Sequence, residues 1–238
     1  MIKLETHCHA GGASPCGDCP VDKVIEYYKK ENYGGIVLTN HYTRVIIELW
    51  YGAKSDAEGV EKYLSFYDVF KKKGEEAGLK IFFGMEISLK STLTEYMVYG
   101  IDDKQFLYDN PRIDELSQKE LFELVNKNGL FMYQTHPFRT GVVAGDPKYL
   151  HGAESFNGHF HHVNSNDMAN RFCEENGLIK LSGSDMHHEG QPVTGGIYIP
   201  ENINTNQELV SFIKKNDFNR IEMADRYFDG LYKFRTGK

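Results

Sequence analysis

Apolar positions along the chain fall into two alternating patterns: short unbroken runs, and longer stretches with apolar residues three and four apart. The first run, Ile2 to His9, reads as a strand, and Val21, Val24, Ile25 and Tyr28 follow at helical spacing, ending near Asn32 with Gly34-Gly35 as the stop. Gly35-Ile-Val-Leu-Thr39 is an apolar, β-branched run, the signature of a strand buried on both faces. A stripe of Val60, Tyr63, Leu64, Tyr67 and Phe70 predicts a long helix between Asp56 and Gly78. Further strands are expected at Lys80–Glu86, Glu95–Gly100, Leu130–Thr135, His151–Phe156, Leu178–Ser182 and Gly195–Ile199. Helices are expected at Ile113–Asn128, stopped by Gly129, at Asn164–Asn176, closed by Gly177, and at Gln207–Lys215. Short apolar strands alternating with helices predict an α/β fold with a parallel sheet, and the number of repeats favours closure into a barrel. No linker, low-complexity tract or fixed-period repeat interrupts the pattern, so residues 1–238 read as one domain.

Composition narrows the function classes. The chain has 238 residues, 40% apolar and 26% charged, with a formal net charge of −7. No basic block exceeds Lys71-Lys72-Lys73, which argues against binding nucleic acid beyond nucleotides, because a phosphate backbone demands a positive footprint. No stretch approaches the roughly 20 apolar residues of a membrane span, and the N-terminus shows no export signal, so a cytoplasmic location is expected. In that compartment Cys8, Cys16, Cys19 and Cys173 are expected to be free thiols. Cys16-Gly-Asp-Cys19 is formally a C-x-x-C; it can be read as an incidental loop pair, as auxiliary metal ligands or as a redox pair.

Candidate chemistry collects just after the strands. His7 and His9, two apart on a strand, point the same way. His41 follows the second run, Glu86 ends the third, His136 and Arg139 follow the fifth, and Asp185 and His187 follow the seventh. In a β/α barrel the strand C-termini converge on one mouth, so these side chains are expected to meet there. Mixed imidazole and carboxylate donors suit zinc, manganese or iron, and seven such ligands exceed the need of one ion. Two or three divalent ions are expected, with Glu86 and Asp185 as candidate bridges. His159, His161 and His162 read as a solvated loop rather than a ligand set.

The motifs Glu5-Thr-His7-Cys-His9, Thr39-Asn40-His41-Tyr42, Gly84-Met-Glu86, Thr135-His136-Pro-Phe-Arg139 and Ser182-Gly-Ser-Asp185-Met-His187 resemble, in order, those of the PHP (polymerase and histidinol phosphatase) family. The resemblance runs from about residue 2 to 200 and implies a distorted seven-stranded β/α barrel and a metal-dependent phosphoesterase. It implies one ion on His7, His9, Glu86 and Asp185, a second sharing Glu86 and taking His136, and a third on His41 and His187. The sequence departs from the family at Pro15, where many members carry a third-site His or Asp; Cys16, Asp18 or Cys19 could substitute. It departs again in Glu95–Gly100, which lacks the usual His and offers Glu95, and at Asn40, where Asp is usual.

On this reading the ions turn a shared water into a nucleophile and clamp the phosphate during in-line displacement. Asp185 would accept or relay a proton, and Arg139 would fork a phosphate oxygen pair, although a surface salt bridge is its plainer use. The expected partner is a small phosphorylated substrate, with self-association left open. The expected activity is hydrolysis of a small phosphate monoester, as in histidinol phosphatases. The alternatives are a phosphodiesterase or exonuclease acting on short nucleotides, or an amidohydrolase-like metal-dependent hydrolase.

Overall fold

Each apolar run of the sequence becomes a strand, and the order of those strands decides which loops meet. The computed structural model describes residues 1–90, 92 and 94–237. Its strands are β1 (Ile2–Cys8), β2 (Tyr33–Leu38), β3 (His41–Tyr42), β4 (Lys80–Ser88), β5 (Glu95–Tyr99), β6 (Phe131–Gln134), β7 (Gly152–Asn157), β8 (Ile179–Gly183), β9 (Gly195–Ile199) and β10 (Arg220–Glu222). The helices are α1 (Val21–Lys30), α2 (Asp56–Glu76), α3 (Gln105–Asp109), α4 (Gln118–Lys127), α5 (Asn166–Asn176), α6 (Asn206–Ile213) and α7 (Ala224–Thr236). None is long and apolar enough to cross a membrane.

The sheet runs β10-β9-β1-β2-β4-β5-β6-β7-β8, with the short β3 beside β4. Its far edge curls back on β1: the chain beyond β8 bridges Met186 to Cys8, and His9 N–H donates to Met186 O at 2.9 Å. The result is a mixed α/β, nearly closed barrel, so the α/β class and the barrel-like closure hold. The all-parallel sheet does not. The β4–β5 and β5–β6 pairings are antiparallel, as are β1–β9 and β9–β10. The physical reason lies between Ser88 and Glu95, a connection too short for the crossover that parallel neighbours need.

Two apolar layers hold the sheet. Outside, Val24, Ile25 and Tyr28 of α1 and Val60, Tyr63, Leu64, Tyr67 and Phe70 of α2 pack on the strands. Inside, Leu4, Val37, Phe82, Met97, Phe131, Leu181 and Ile197 meet Leu209, Val210 and Ile213 of α6. Burying each of those three α6 side chains contributes about 1.5–3 kcal/mol. Asn206 and Gln207 fix α6 to Ile101 and Gly100, at the end of β5 remote from Glu95, so the opposite end stays open.

Several expected boundaries shift for local reasons. The single helix over 113–128 is two pieces. Ser117 and Glu120 form a reciprocal cap that starts α4 at Gln118, while Asp114 is drawn away to Arg44, leaving a 3₁₀ turn at Ile113–Glu115. The expected elements do not include α7, although Tyr227, Phe228, Leu231 and Tyr232 stand at helical spacing; of its residues only Tyr227 is buried, while Phe228, Tyr232 and Phe234 face outward.

Candidate metal centre

The site begins with an irregularity in β1. Leu4 points into the barrel interior and Cys8 belongs to the outer layer, yet His7 and His9 face inward. Strict alternation cannot place both Leu4 and His7 inside. The pairing of β1 with β2 accordingly slips between Glu5 and Cys8, an extra residue that re-aims the histidines. Glu5 satisfies the freed backbone: its Oε1 accepts from Thr6 N, His7 N and Ser184 N, each at 2.9 Å, and its Oε2 accepts from Tyr28 Oη at 2.7 Å. Burial pushes the Glu5 carboxyl up to about 7 against the pull of those donors.

The other strands bring their ends to the same place. Parallel pairing sets His41 beside Glu86, and the antiparallel run of β5 delivers its first residue, Glu95, to the same rim. His136 and Asp185 sit just past β6 and β8 with positive φ of 31° and 51°. Such backbone costs about 1–3 kcal/mol per residue and persists where the surroundings over-determine it. Gln191 is part of that surround, donating to Ser184 O and Asp185 O and accepting from His187 N. Gly183 allows close packing, since a Cβ there would lie 2.4 Å from His7 Cβ.

The structure brings all seven expected ligand residues together. His7 Nε2 lies 3.1 Å from His9 Nε2, 3.3 Å from Glu86 Oε1 and 3.2 Å from Asp185 Oδ1. His136 Nε2 is 3.2 Å from Glu86 Oε1, and His9 Nε2 is 3.2 Å from Glu86 Oε2. His41 Nδ1 is 3.0 Å from Glu86 Oε2, and its Nε2 is 3.4 Å from His187 Nε2. Glu95 stands within 3.4 Å of both His41 and His136 and adds a carboxylate to the same rim.

Apart from the His7–His9 and His41–His187 ring-nitrogen pairs, these contacts are close without being hydrogen bonds. His9 Nδ1, His41 Nδ1, both Glu86 oxygens, both His136 ring nitrogens and Asp185 Oδ1 are buried with no hydrogen-bond partner among the described residues. Leaving one such group unpaired costs about 1–3 kcal/mol, and buried polar groups are otherwise nearly always bonded. Imidazole nitrogens and carboxylate oxygens gathered at 3.0–3.5 Å, with these carboxylate oxygens left unbonded, are what a cation among them requires. The donor set fits divalent metal. The groups His7/His9/Asp185, His7/Glu86/His136, His41/Glu86/Glu95 and His9/His41/His187 each converge closely enough to hold an ion.

Electrostatics point the same way. Burial would raise the Glu86 and Asp185 carboxyls, but His7 and His41 beside Glu86, and His7, Arg139 and His187 beside Asp185, hold both well below the usual carboxylate range. Conversely, burial would lower His7 and His41. The carboxylates win: Asp185, Glu86 and Glu154 hold His7 well above the ordinary imidazole value, and Glu86, Cys16 and Glu95 do so for His41. His187 is held at about 9, chiefly by Asp185 against burial. Protons are thus attracted to the place a metal would neutralise.

Two residues were not legible in the sequence. Glu154 on β7 accepts from His7 Nδ1 at 2.9 Å, from His136 N at 2.9 Å and from Asn157 Nδ2 at 2.8 Å. That bond fixes the His7 tautomer with Nε2 free to face the cluster. Asn157 in turn bonds Asp185 Oδ2 and Arg139. Arg139 is not the surface salt bridge that was its plainer reading; it forms a nearly buried pair with Asp185 and donates from Nε to Asn164. The histidine cluster also differs from expectation. His159 is buried, and with His161, His162 and His188 it lines the same cavity of about 410 Å³ as Cys16, His41, Glu86, Glu95, His136, Arg139, Asp185 and His187. Loop composition suggested solvent; packing against His187, 5.0 Å between ring centroids, removed His159 from it. Asn157 and Asn164 order that loop by bonding His159 N and O.

No family model matches the chain, and no curated protein matches it. Solved structures do. A two-domain protein from Bacteroides vulgatus, described as containing a predicted PHP-like metal-dependent phosphoesterase, superposes with a TM-score of 0.65 at 15% identity, over 96% of this chain and 69% of that one. PsfC from Pseudomonas syringae gives 0.65 at 13% identity over the whole of both chains. The lesion-specific endonuclease PfuEndoQ from Pyrococcus furiosus gives 0.60 at 14% identity, over 93% of this chain and 57% of the endonuclease. The chain has the fold of the PHP-like metal-dependent phosphoesterases.

Proposed function

We propose that this chain is a metal-dependent hydrolase of a small phosphate monoester, with His7, His9, His41, Glu86, Glu95, His136, Asp185 and His187 as the protein ligands of two or three divalent ions. The observation that carries this is the concentration of unpaired buried donors: every one among the described residues except Thr194 Oγ1 belongs to this cluster. Bound zinc, manganese or iron would supply Lewis acidity toward phosphate and lower the pKa of water. The chain supplies the rest. Glu154 and Asn157 orient His7 and Asp185. Arg139 spends Nε and Nη2 on Asn164, Asn157 and Asp185, and Nη1 makes no hydrogen bond among the described residues, which leaves one arm for a phosphate oxygen. Asp185, whose affinity for protons is low, serves as a ligand, and its Oδ1 lies 3.1 Å from His187 Nδ1, which leaves His187 Nε2 toward the cluster. His159 is kept neutral by burial, as is the half-buried His161, so the imidazole rim can hydrogen-bond the organic part of a substrate without competing for its phosphate.

A cavity of this size suits a small ester rather than a polymer. The test is a release assay after chelation and reloading with each metal, comparing p-nitrophenyl phosphate with bis(p-nitrophenyl) phosphate and following ammonia alongside. Metal-restored phosphate release from the monoester is expected. Preferential cleavage of the diester, or ammonia release from an amide panel without phosphatase activity, would replace this reading.

A further inference from the structure

One metal-capable group shares no side chain with the centre described above. His159, His161 and His188 each offer a ring nitrogen, and those atoms converge closely enough to hold an ion. Two loops supply them, His159 and His161 from the turn after β7 and His188 from the turn after β8. All three line the cavity beside Phe234 of α7. The group meets the inner cluster through His159 and His187, 5.0 Å between ring centroids. Each ring is held by a partner outside the group. His188 Nδ1 lies 3.0 Å from Asp18 Oδ1, a carboxylate–imidazole pair that leaves the Nε2 lone pair free. His161 stacks on Phe234, 4.1 Å between centroids. His159 is buried, with its backbone N–H held by Asn157 and its carbonyl by Asn164. Neither ring nitrogen of His161, nor Nε2 of His159 or His188, makes a hydrogen bond among the described residues.

We propose that His159, His161 and His188 form a separate zinc-class ion site at the cavity mouth, with Asp18 orienting His188, and that an ion held there competes with substrate. Imidazoles without a carboxylate among them suit zinc, copper or nickel rather than manganese or magnesium, which prefer oxygen. With no anionic ligand, the site attracts a cation less strongly than the positions around Glu86 and Asp185, so it fills after them. Rings already fixed in place lose little freedom when they bind. His159 Nδ1 accepts from His161 N at 3.3 Å, so Nε2 is the nitrogen left for an ion. Ligation there moves the ring proton to Nδ1 and gives up that long hydrogen bond. An ion at the mouth takes the nitrogens that otherwise face the organic part of a substrate. That effect on turnover rests on the phosphatase reading above; the site itself does not.

The experiment is calorimetric titration of the chelated full-length protein with zinc, paired with long-range proton–nitrogen NMR of the histidine rings, in wild type, His161→Ala, His188→Ala, Asp18→Asn and His9→Ala. Wild type is expected to bind the inner ions first and one further ion more weakly. Both rim variants should lose only that last ion, Asp18→Asn should weaken it by about 10-fold or more, and His9→Ala, which lacks an inner ligand, should keep it. Filling of the last step should move the His159 ring proton from Nε2 to Nδ1 and leave His188 protonated at Nδ1. Excess zinc should raise the KM for p-nitrophenyl phosphate in wild type and leave that of His188→Ala where it stands without the excess. Full zinc uptake by both rim variants, or a His159 ring that keeps its proton on Nε2 at saturating zinc, would overturn the rim site and leave the metal centre standing. Uptake of the rim ion alone, in wild type and His9→Ala alike, would overturn the inner centre and leave the rim site standing. A filled rim with an unchanged KM would overturn the competition with substrate.

Discussion

Glu154→Gln isolates the contribution of a residue that touches neither an ion nor a substrate in this account. Glu154 uses its two oxygens separately: Oε1 accepts from His7 Nδ1, and Oε2 accepts from His136 N and Asn157 Nδ2. A glutamine of the same shape offers one acceptor oxygen and one NH₂. If the NH₂ faces His7, Nδ1 must become an acceptor, the ring proton moves to Nε2, and His7 can no longer direct a lone pair at the cluster. If it faces the other way, two donors meet the His136 N–H and the Asn157 amide in a fully buried place. The first outcome predicts a loss in metal affinity of about 10–100-fold, or about 1.4–2.8 kcal/mol. The second predicts a fold destabilised by about 1–3 kcal/mol from the unpaired buried donors. Both are read on one sample, by competition against a chromophoric chelator for affinity and by urea denaturation of the chelated protein for stability. Glu174→Gln, which alters only surface contacts with Lys180 and Asn170, serves as control. A Glu154→Gln protein with wild-type metal affinity and unchanged stability would refute the reasoning.

Two further outcomes follow from the geometry. Gly183→Ala places a methyl 2.4 Å from His7 Cβ and 2.8 Å from Glu154 Oε1, so it should cost about 1–3 kcal/mol in overpacking and weaken metal binding together, read as a lower Tm and a lower ion stoichiometry; unchanged values would refute the close packing. His151 accepts from Met132 N at Nδ1, and burial, aided by Lys214, lowers it from 6.5 to about 4. Its folded value lies below the unfolded one, so the stability it contributes is complete above pH 6.5 and is lost as pH falls from 6.5 toward 4. Because the ring is partly exposed, about 1–2 kcal/mol is at stake after screening. Urea midpoints of wild type should fall more steeply through that window than those of His151→Gln, and parallel slopes would contradict the assignment.

The sequence showed the strands and the rim because both depend on short-range rules. Buried runs such as Ile36–Leu38 are apolar on both faces, and a donor just past a strand end has one direction to go. His7 and His9 share a face through a two-residue period that survives the β1 bulge, but the bulge itself depends on Glu5 finding Ser184 and Tyr28, partners far along the chain. Glu154 was hidden for a related reason. It lies inside β7 and acts through the His7 side chain of β1 and the His136 backbone N–H in the turn after β6. The antiparallel placement of β5 was readable only from the length of the 88–95 connection, and that placement is what turns Glu95 from a strand's first residue into a rim donor. His159 was misplaced because loop composition says nothing of what a loop packs against.

The most direct measurement is the metal content of the purified, reloaded chain and of its His9→Ala variant, each checked for folding by circular dichroism. Two or three divalent ions per wild-type chain, falling in a folded His9→Ala protein together with its phosphatase turnover, are what the converging donors predict. A folded variant that retains the full ion content and turnover, or a wild-type chain that takes up no divalent metal, would contradict the claim that these side chains form one metal centre.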